Sequence, residues 1–319
     1  MKKKLANNIA FFTLLITIIA VLGHIMTPKF MVKYNLANTK NGVYTMLKVE
    51  DKNSLDMLVI GDSESYTTVS PLQLWEKYGI TSFVAGQTAA KLSESRDILE
   101  VALETQSPKV VLLETNSLFR ADKEDDSLQA QIAETLSEYC PLIKNHDCWK
   151  SPFHGVHNNF KGYWINSDVE PCNAGDYMAP TDQREAICEQ NRQIVEEINK
   201  MCQNKGAQLV LYSAPSPVNY NYAKHNGISD LAESLGISYV DLNLENDKMQ
   251  IDWATDTRDA GDHLNSAGGV KTTDFIGQYL QEHFQLKDHQ NMKVAKSWNK
   301  LLKEYNARSE KAIQRIKSI

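Results

Sequence analysis

The chain has 319 residues, of which 42% are hydrophobic and 23% are charged, so it has enough apolar material for one large or two small folded domains. Its formal net charge is −6, which excludes the basic excess typical of nucleic-acid-binding proteins. Its five cysteines include no CxxC pair, and no group of cysteines and histidines has the spacing of a structural zinc site.

The first 26 residues predict a membrane segment. A basic start at residues 1–8 precedes an apolar stretch at residues 9–26, which only two threonines, a glycine and a histidine interrupt. Its length is near the lower limit for a membrane-spanning helix, and no small-x-small cleavage site follows Val21. We therefore expect an uncleaved single-pass anchor in the cell membrane with everything after it extracytoplasmic, and a cleaved signal peptide is the alternative.

Residues 27–54 are predicted to be a stalk, and residues 55–286 a domain in which strands and helices alternate. Apolar runs predict strands at residues 57–60, 82–85, 109–114, 208–212 and 238–241. Helical periodicity and capping signals predict helices at residues 71–78, 92–105, 184–204, 221–235 and 266–283. Five strands alternating with helices predict an α/β fold: a doubly wound, flavodoxin-like parallel sheet with helices on both faces.

Residues 117–183 interrupt this alternation and are too long for a plain connection, so we expect a functional or lid-like insertion. Its aromatic residues either shape a groove for sugar rings or fill a small subcore; they are Trp149, Tyr163, Trp164 and Tyr177. Its histidines are expected to be exposed loop residues and not metal ligands; they are His146, His154 and His157.

The cysteines and the C-terminal tail each leave two possibilities open. In an oxidising exterior four of the cysteines can form two disulfides with Cys202 left over, in a pairing that the sequence does not define; the other four are Cys140, Cys148, Cys172 and Cys188. Residues 287–319 predict a basic amphipathic helix, which either packs on the domain or contacts the membrane surface or a membrane partner.

Two polar stretches stand out against this pattern. Gly61-Asp62-Ser63 follows the first strand, which places a serine hydroxyl where open α/β sheets bind ligands. Far downstream, His263 lies in a glycine-containing loop close to Asp259 and Asp262. A nucleophilic serine needs a base, and the base needs an orienting partner, so we expect the two stretches to meet. Ser65 is a rival nucleophile, but it lies further from the strand end.

Together with Gly86 after the second strand and Asn116 after the third, these residues resemble the SGNH/GDSL hydrolase superfamily, which is named for its Ser, Gly, Asn and His. The resemblance covers residues 55–118 and 206–283. The shared architecture is also similar, more distantly, to DltD-like proteins and to SGNH-like partners of membrane-bound O-acyltransferases.

The resemblance implies a role for each matched residue. Ser63 would be the nucleophile and His263 its base, and the Ser63 N–H, the Gly86 N–H and the Asn116 side-chain amide would form an oxyanion hole. No metal or organic cofactor is implied. The acyl donor or acceptor would be a cell-surface polysaccharide or another acylated polymer, and a membrane-bound O-acyltransferase is a possible partner.

The sequence departs from the family pattern at two positions. The family's acid lies three residues before histidine, where this chain has Ala260. We expect Asp259 to orient the imidazole, because a loop can absorb one extra residue, whereas the adjacent Asp262 side chain should diverge from it. The family's Gly-x-Asn block is Glu114-Thr115-Asn116, so Glu114 either narrows the pocket or lies near it.

The sequence therefore predicts a membrane-anchored, extracytoplasmic serine esterase or O-acyltransferase that acts on acetyl-type esters. The alternative is a catalytically inactive SGNH-like module that binds a glycan or a membrane acyltransferase, which the displaced acid and the missing glycine favour. A flavodoxin-like phospho-receiver fits the strand pattern, but neither the anchor nor His263.

Overall fold

The computed structural model of the chain describes residues 2–26, 42–120, 132, 140 and 160–319. The chain divides into two compact units: Met1–Thr45 with Lys123–Asn158, and Met46–Asp122 with Asn159–Ile319. The second unit contains all the strands that the structure describes.

Helix α1, Lys2–Met26, lies in the first unit. Its segment Lys3–Ile25 has a mean hydropathy of 2.2, and it is the one helix of the described chain long and apolar enough to cross a membrane. The helix begins before the apolar stretch predicted at residues 9–26. The lysine-rich start is included in the helix because lysine has a high helix propensity. An N-terminal signal sequence has the same length and composition, so both alternatives remain compatible with this helix.

The second unit is built on a parallel five-stranded sheet with the order β2-β1-β3-β4-β5. Its strands are β1 Met57–Ile60, β2 Ser82–Val84, β3 Val110–Glu114, β4 Gln208–Ser213 and β5 Ser238–Asp241. The predicted doubly wound, flavodoxin-like fold class is confirmed, and each predicted strand boundary lies within one residue of the observed one.

Helices follow the strands in the predicted alternation. After α2 Gly42–Lys48, they are α3 Ser63–Thr68, α4 Pro71–Tyr78, α5 Leu92–Thr105, α6 Glu189–Asn204, α7 Tyr222–Leu235, α8 Asn246–Met249, α9 Ser266–His283 and α10 Ala295–Lys317. Short 3₁₀ turns occupy Asn116–Phe119 and Leu242–Leu244. Helix α6 begins five residues later than predicted. Residues 184–188 have no regular secondary structure, and Cys188 is the N-cap of the helix.

The sheet is buried on both faces, which explains its continuous apolar strands. Met57 and Val59 point to one face and pack with Leu74 of α4 and Ile276 of α9 in one core cluster. The alternate residues of the strands point to the other face, where α5 and α6 pack against each other. The loops at the carboxyl ends of β1 and β3 border the crevice at which the strand order reverses.

The predicted stalk and insertion are described in part. Residues 27–41 of the stalk lie outside the described chain. Its later part belongs to the second unit, where Leu47 is buried and Glu50 forms an ion pair with Lys161 at 2.6 Å. In the insertion, residues 160–183 are described, and Lys161 O accepts a hydrogen bond from Val84 N at the outer edge of β2. Trp149, Cys148 and the three insertion histidines lie outside the described chain.

The apolar stripe of α10 packs on the domain, as one of the two predicted alternatives requires. Trp298 is 2% exposed and its ring centroid lies 5.2 Å from that of Trp75. Tyr305 contacts Phe160 edge to face, and its hydroxyl bonds to Ser70 Oγ at 2.8 Å. Because these contacts bury the stripe, its apolar face is not available to a membrane surface.

The four cysteines that the structure describes are free thiols, so no disulfide forms among them. Cys202 is buried in α6, and Cys188 is exposed.

We expect Trp298→Ala to lower the free energy of unfolding by ~3–5 kcal/mol, because it removes a large buried side chain and leaves a cavity against Trp75. Chemical denaturation of the full chain measures this change. Lys300→Ala, at an exposed position on the same helix, is the matched control and should shift stability by less than ~0.5 kcal/mol. A similar small shift for both variants would contradict the packing of α10 on the domain.

Candidate active site

Ser63 lies at the carboxyl end of β1, where the chain makes a sharp turn. Gly61 has φ +146°, and a Cβ at this position would lie 2.5 Å from Glu114 Cβ, so no other residue fits this turn without rearrangement. Asp62 then caps α3, because its carboxylate accepts a hydrogen bond from Glu64 N at 3.0 Å. Ser63 is the first residue of α3 and is 7% exposed. The sequence did not predict α3, because its six residues contain no apolar repeat.

The loop that carries His263 is held from two sides. The Ser216 hydroxyl, after β4, donates to the carbonyls of Gly261 and Asp262 at 2.9 and 3.0 Å. The Thr257 hydroxyl donates to His263 O at 3.0 Å. Asn265 then caps α9 by accepting from Ala267 N at 3.0 Å. The strand-end loops therefore position the imidazole over β1.

The two polar stretches meet as expected from the sequence. His263 Nε2 lies 2.7 Å from Ser63 Oγ, although the two residues are 200 positions apart in the chain. This distance is within the range in which a base accepts a proton from a hydroxyl. The rival Ser65 does not take this position, because its hydroxyl donates to Asp62 O at 2.6 Å.

Asp259 lies on the far side of the imidazole. Its carboxylate is 2.7 Å from His263 Nδ1 and also accepts from His263 N at 2.6 Å. The extra residue relative to the family spacing is absorbed by a tight turn, in which Ala260 and Gly261 have φ +54° and +93°. Asp262 Oδ2 lies 3.3 Å from the same Nδ1, and Asp262 Oδ1 accepts from Asn219 at 2.6 Å.

Burial alone would raise the pKa of Asp259, but the hydrogen bonds from His263 and the charges of His263 and Arg258 outweigh it and lower that pKa. Asp259 is therefore an ionised acceptor at neutral pH. An ionised acceptor at Nδ1 fixes the tautomer of His263 that carries its proton on Nδ1. In this tautomer Nε2 is left as the acceptor that faces the Ser63 hydroxyl.

Three candidate donors lie around the turn that carries Ser63, where Gly86 approaches Asp62 O and Asn116 contacts the Asp62 carboxylate. Among the described residues, neither the Ser63 N–H nor the Gly86 N–H has a hydrogen-bond acceptor. Asn116 donates one amide proton to Asp62 Oδ2 at 3.1 Å, which leaves its second amide proton available. The three predicted oxyanion donors thus come from the ends of β1, β2 and β3.

Gly86 approaches the start of α3 too closely for any other residue. A Cβ at this position would lie 2.0 Å from Ser65 Oγ and 2.7 Å from Asp62 O. The glycine therefore lets the loop after β2 reach the turn that carries Ser63, which agrees with the reason for expecting a glycine there.

A buried acidic cluster lies beneath the site, and the sequence reasoning found it only in part. Asp62, Glu64 and Glu114 are each at most 2% exposed and place one carboxylate oxygen each within 4.8 Å of one another. Arg120 forms an ion pair with Asp62 at 2.5 Å. The sequence singled out Glu114, because it stands where the family's Gly-x-Asn block has glycine. Nothing in the sequence singled out Glu64, because a glutamate after a turn is common and is usually exposed.

The acidic residues offer two sets of possible metal ligands within the described chain, namely the buried cluster and the group Asp259, Asp262 and His263. In both sets most of the oxygens already accept hydrogen bonds or ion pairs from protein donors such as Arg120 and Asn219, and Glu64 Oε2 is the exception. The donor sets therefore do not require an ion, and we assign none.

An aromatic rim borders the site. Trp164 is 48% exposed, contacts Tyr66 edge to face at 5.9 Å, and lies under the Arg258 guanidinium at 4.4 Å. Of the other insertion aromatics, Tyr163 is buried against Tyr305, and Tyr177 contacts Trp253 at 6.3 Å. Tyr163 and Tyr177 therefore fill subcores, while Trp164 faces solvent beside α3.

No protein-family model matches the sequence, and no curated protein matches it. The structure is similar to several solved ones, and the three described next each have a TM-score of 0.40. A lipase/acylhydrolase from Enterococcus faecalis is 10% identical over 73% of this chain and 98% of that one. A GDSL-like lipase from Bacteroides thetaiotaomicron is 11% identical over 76% and 98%, and TesA is 14% identical over 71% and 98%. Structural similarities this distant do not assign an activity to this protein. Its activity is therefore inferred from the geometry of the site.

We expect Asp259→Asn to lower kcat for an acyl ester about 10²–10⁴-fold, because an amide cannot hold the imidazole in the required tautomer. Asp262→Asn is the matched comparison and should cost less than about tenfold, because Asp259 keeps the shorter contact to Nδ1. Steady-state kinetics of both variants measures the difference. A larger loss in Asp262→Asn would assign the orienting role to Asp262.

Proposed function

We propose that this protein is a serine acyl-ester hydrolase or O-acyltransferase. The observation that carries the proposal is the continuous chain of hydrogen bonds from Ser63 through His263 to Asp259, with two 2.7 Å contacts to the imidazole nitrogens. A hydroxyl, a neutral base and an ionised orienting acid in this order form the arrangement that nucleophilic acyl transfer requires. The resemblance to the SGNH/GDSL hydrolases supports the same assignment.

In the first step, Ser63 Oγ attacks the carbonyl carbon of an ester as His263 Nε2 takes the hydroxyl proton. The carbonyl oxygen becomes an oxyanion that accepts hydrogen bonds from Ser63 N–H, Gly86 N–H and the free amide proton of Asn116. Collapse of the tetrahedral intermediate breaks the bond to the alcohol, which leaves with the proton from Nε2. An acyl-serine remains, and Asp259 stabilises the imidazolium in between.

In the second step, water or an alcohol attacks the acyl-serine, and His263 takes its proton and returns it to Ser63 Oγ. Water gives hydrolysis, and an acceptor hydroxyl gives transfer. We propose that the alcohol component is a sugar of a cell-envelope polymer. The solvent-exposed Trp164 beside the nucleophile helix supports this, because aromatic faces suit sugar rings. A membrane-bound O-acyltransferase would be a suitable acyl donor.

We further propose that α1 anchors the protein in the cell membrane and that the catalytic unit is extracytoplasmic. The lysines at the start of α1 support this orientation, because positively charged residues stay on the inner side. The lack of a small-x-small cleavage site after Val21 supports an anchor over a cleaved signal.

We expect Ser63→Ala to lower the release of acetate from a chromogenic acetyl ester at least ~10³-fold, because no other hydroxyl lies against His263 Nε2 in the described chain. Ser65→Ala is the matched control, since it removes a serine hydroxyl two residues away that bonds only to Asp62 O. Parallel assays of the purified full chain measure both. Equal release by wild type and Ser63→Ala would support an inactive binding module instead.

We expect the protein extracted from membranes to have the mass of the full 319-residue chain, because an anchor is retained. External protease should degrade the α/β domain in intact cells of the expressing strain, and it should spare the domain if the orientation is reversed. A mass lower by the equivalent of ~20–30 residues would show a cleaved signal peptide instead.

A further inference from the structure

Glu64 follows the proposed nucleophile directly, and its side chain reaches back into the interior. The residue is 2% exposed, and its Oε1 accepts a hydrogen bond from Asn219 Nδ2 at 2.5 Å. The same amide nitrogen donates to Asp262 Oδ1 at 2.6 Å. Glu64 is therefore linked, through one amide, to the loop that carries His263.

Glu114 approaches Glu64 from the end of β3. It is fully buried, and its carboxylate accepts from Asn116 N at 3.0 and 3.1 Å and from the Tyr220 hydroxyl at 2.5 Å. Glu114 thus holds the backbone of Asn116, whose side-chain amide is a proposed oxyanion donor. The two glutamates together connect the β3 loop with the His263 loop.

One oxygen of this pair lacks a partner. Glu64 Oε2 is buried and accepts no hydrogen bond from any described residue, although a carboxylate oxygen of Glu114 lies within 4.8 Å of a Glu64 oxygen. An unpaired buried anionic oxygen is costly, and two adjacent buried carboxylates cannot both remain charged. A proton on Glu64 Oε2 removes both costs, because it neutralises one carboxylate and can be donated to the other.

The charge balance agrees with this geometry. Burial, followed by the neighbouring Glu114 and Asp62 charges, raises the pKa of Glu64 well above its ordinary value. Burial and the Asp62 charge likewise raise the pKa of Glu114 from 4.5 to about 8. Among the described residues one cation pairs with the cluster: the half-buried Arg120 contacts Asp62, so it balances one carboxylate and not three.

We propose that Glu64 is a positioning residue of the active site: carrying a proton, it donates to Glu114 and accepts from Asn219, and so couples the oxyanion side of the site to the His263 loop. This inference rests on the proposed acyl-transfer function. Glu64 does not touch the substrate; it acts through Asn116 on one side and through Asp262 on the other.

The groups that face this pair come from every element packed around it. They are Asp62 before α3, Arg120 after the first 3₁₀ turn, Tyr177 of the insertion, Tyr212 of β4, Tyr220 before α7, Tyr239 of β5, and Asp262 and His263 of the His263 loop. Burial comes first among the causes that raise the pKa of each of the four tyrosines, so they remain neutral where the glutamate pair titrates. The shared proton is thus the one that leaves this cluster as the pH rises above neutrality.

Loss of the proton would leave adjacent buried carboxylates that repel one another next to Ser63. We therefore expect kcat of the wild type to fall above about pH 8, by about tenfold per pH unit, where a simple serine–histidine couple would remain on a plateau. The pH profile of kcat, measured with an uncharged acetyl ester, reports this fall without titration of the substrate.

The test compares Glu64→Gln with Glu64→Ala. Glutamine can donate an N–H to Glu114 and accept from Asn219, as the protonated acid does, but it cannot titrate. We expect Glu64→Ala to lower kcat about 10²-fold with little change in KM, and Glu64→Gln to restore most of this loss and to abolish the fall above pH 8. Glu196→Gln, at an exposed position on α6, is the matched control and should keep the wild-type profile.

Thermal unfolding of the same proteins gives a readout that is independent of turnover. Because the native pair holds a proton that the unfolded chain releases near pH 4.5, stability should fall as the pH rises from about 4.5 to 8, and Glu64→Gln should flatten this fall. Absence of ester turnover in the wild type would overturn the proposed function, while the unfolding profiles would still report the shared proton.

Three results would overturn the positioning role of Glu64. The first is an alkaline fall in kcat that is the same in Glu64→Gln and in the wild type. The second is a Glu64→Ala variant that keeps wild-type kcat. The third is loss of wild-type activity on treatment with a chelator, which would assign the acidic cluster to a cation.

Discussion

A hydrogen bond of 2.7 Å between Ser63 Oγ and His263 Nε2 joins two loops that are 200 residues apart. Its formation requires that β1 end at a turn only glycine can make and that the loop before α9 fold back over the same sheet edge. Gly61 supplies the turn, and the Ser216 hydroxyl fixes the loop through two carbonyls. The parallel sheet makes this convergence possible, because all its strands end at one edge.

The site also places several buried acidic residues beneath Ser63. Asp62 is paired with Arg120, and Asp259 is stabilised by its bonds to His263, so these two acids can remain ionised. No described residue provides such a cation for the Glu64–Glu114 pair, and the shared proton that we propose would allow its burial. The chain thus uses ion pairing on one side of the serine and protonation on the other.

Much of the fold was predictable from local pattern. The runs Met57–Ile60 and Val110–Glu114 are continuous and apolar because both sheet faces are covered, and the Ser70-Pro71 pair marks the start of α4. Helix α3 was not predictable, because it forms through the Asp62 cap and tertiary contacts and has no apolar repeat. Likewise, Leu47 joins the core of the second unit although its neighbours show no periodicity.

The sequence by itself determined the order in which the strands occur along the chain and the apolar character of α1. It also determined that Ser63, Gly86 and Asn116 follow successive strands, since all these features depend on nearest neighbours along the chain. Only the tertiary structure decided that Asp259 takes the shorter contact to His263, that α10 is buried against Trp75, and that Glu64 meets Glu114. Each of these depends on the distance between segments far apart in sequence, and on the cost of burying charge between them, which no local pattern contains.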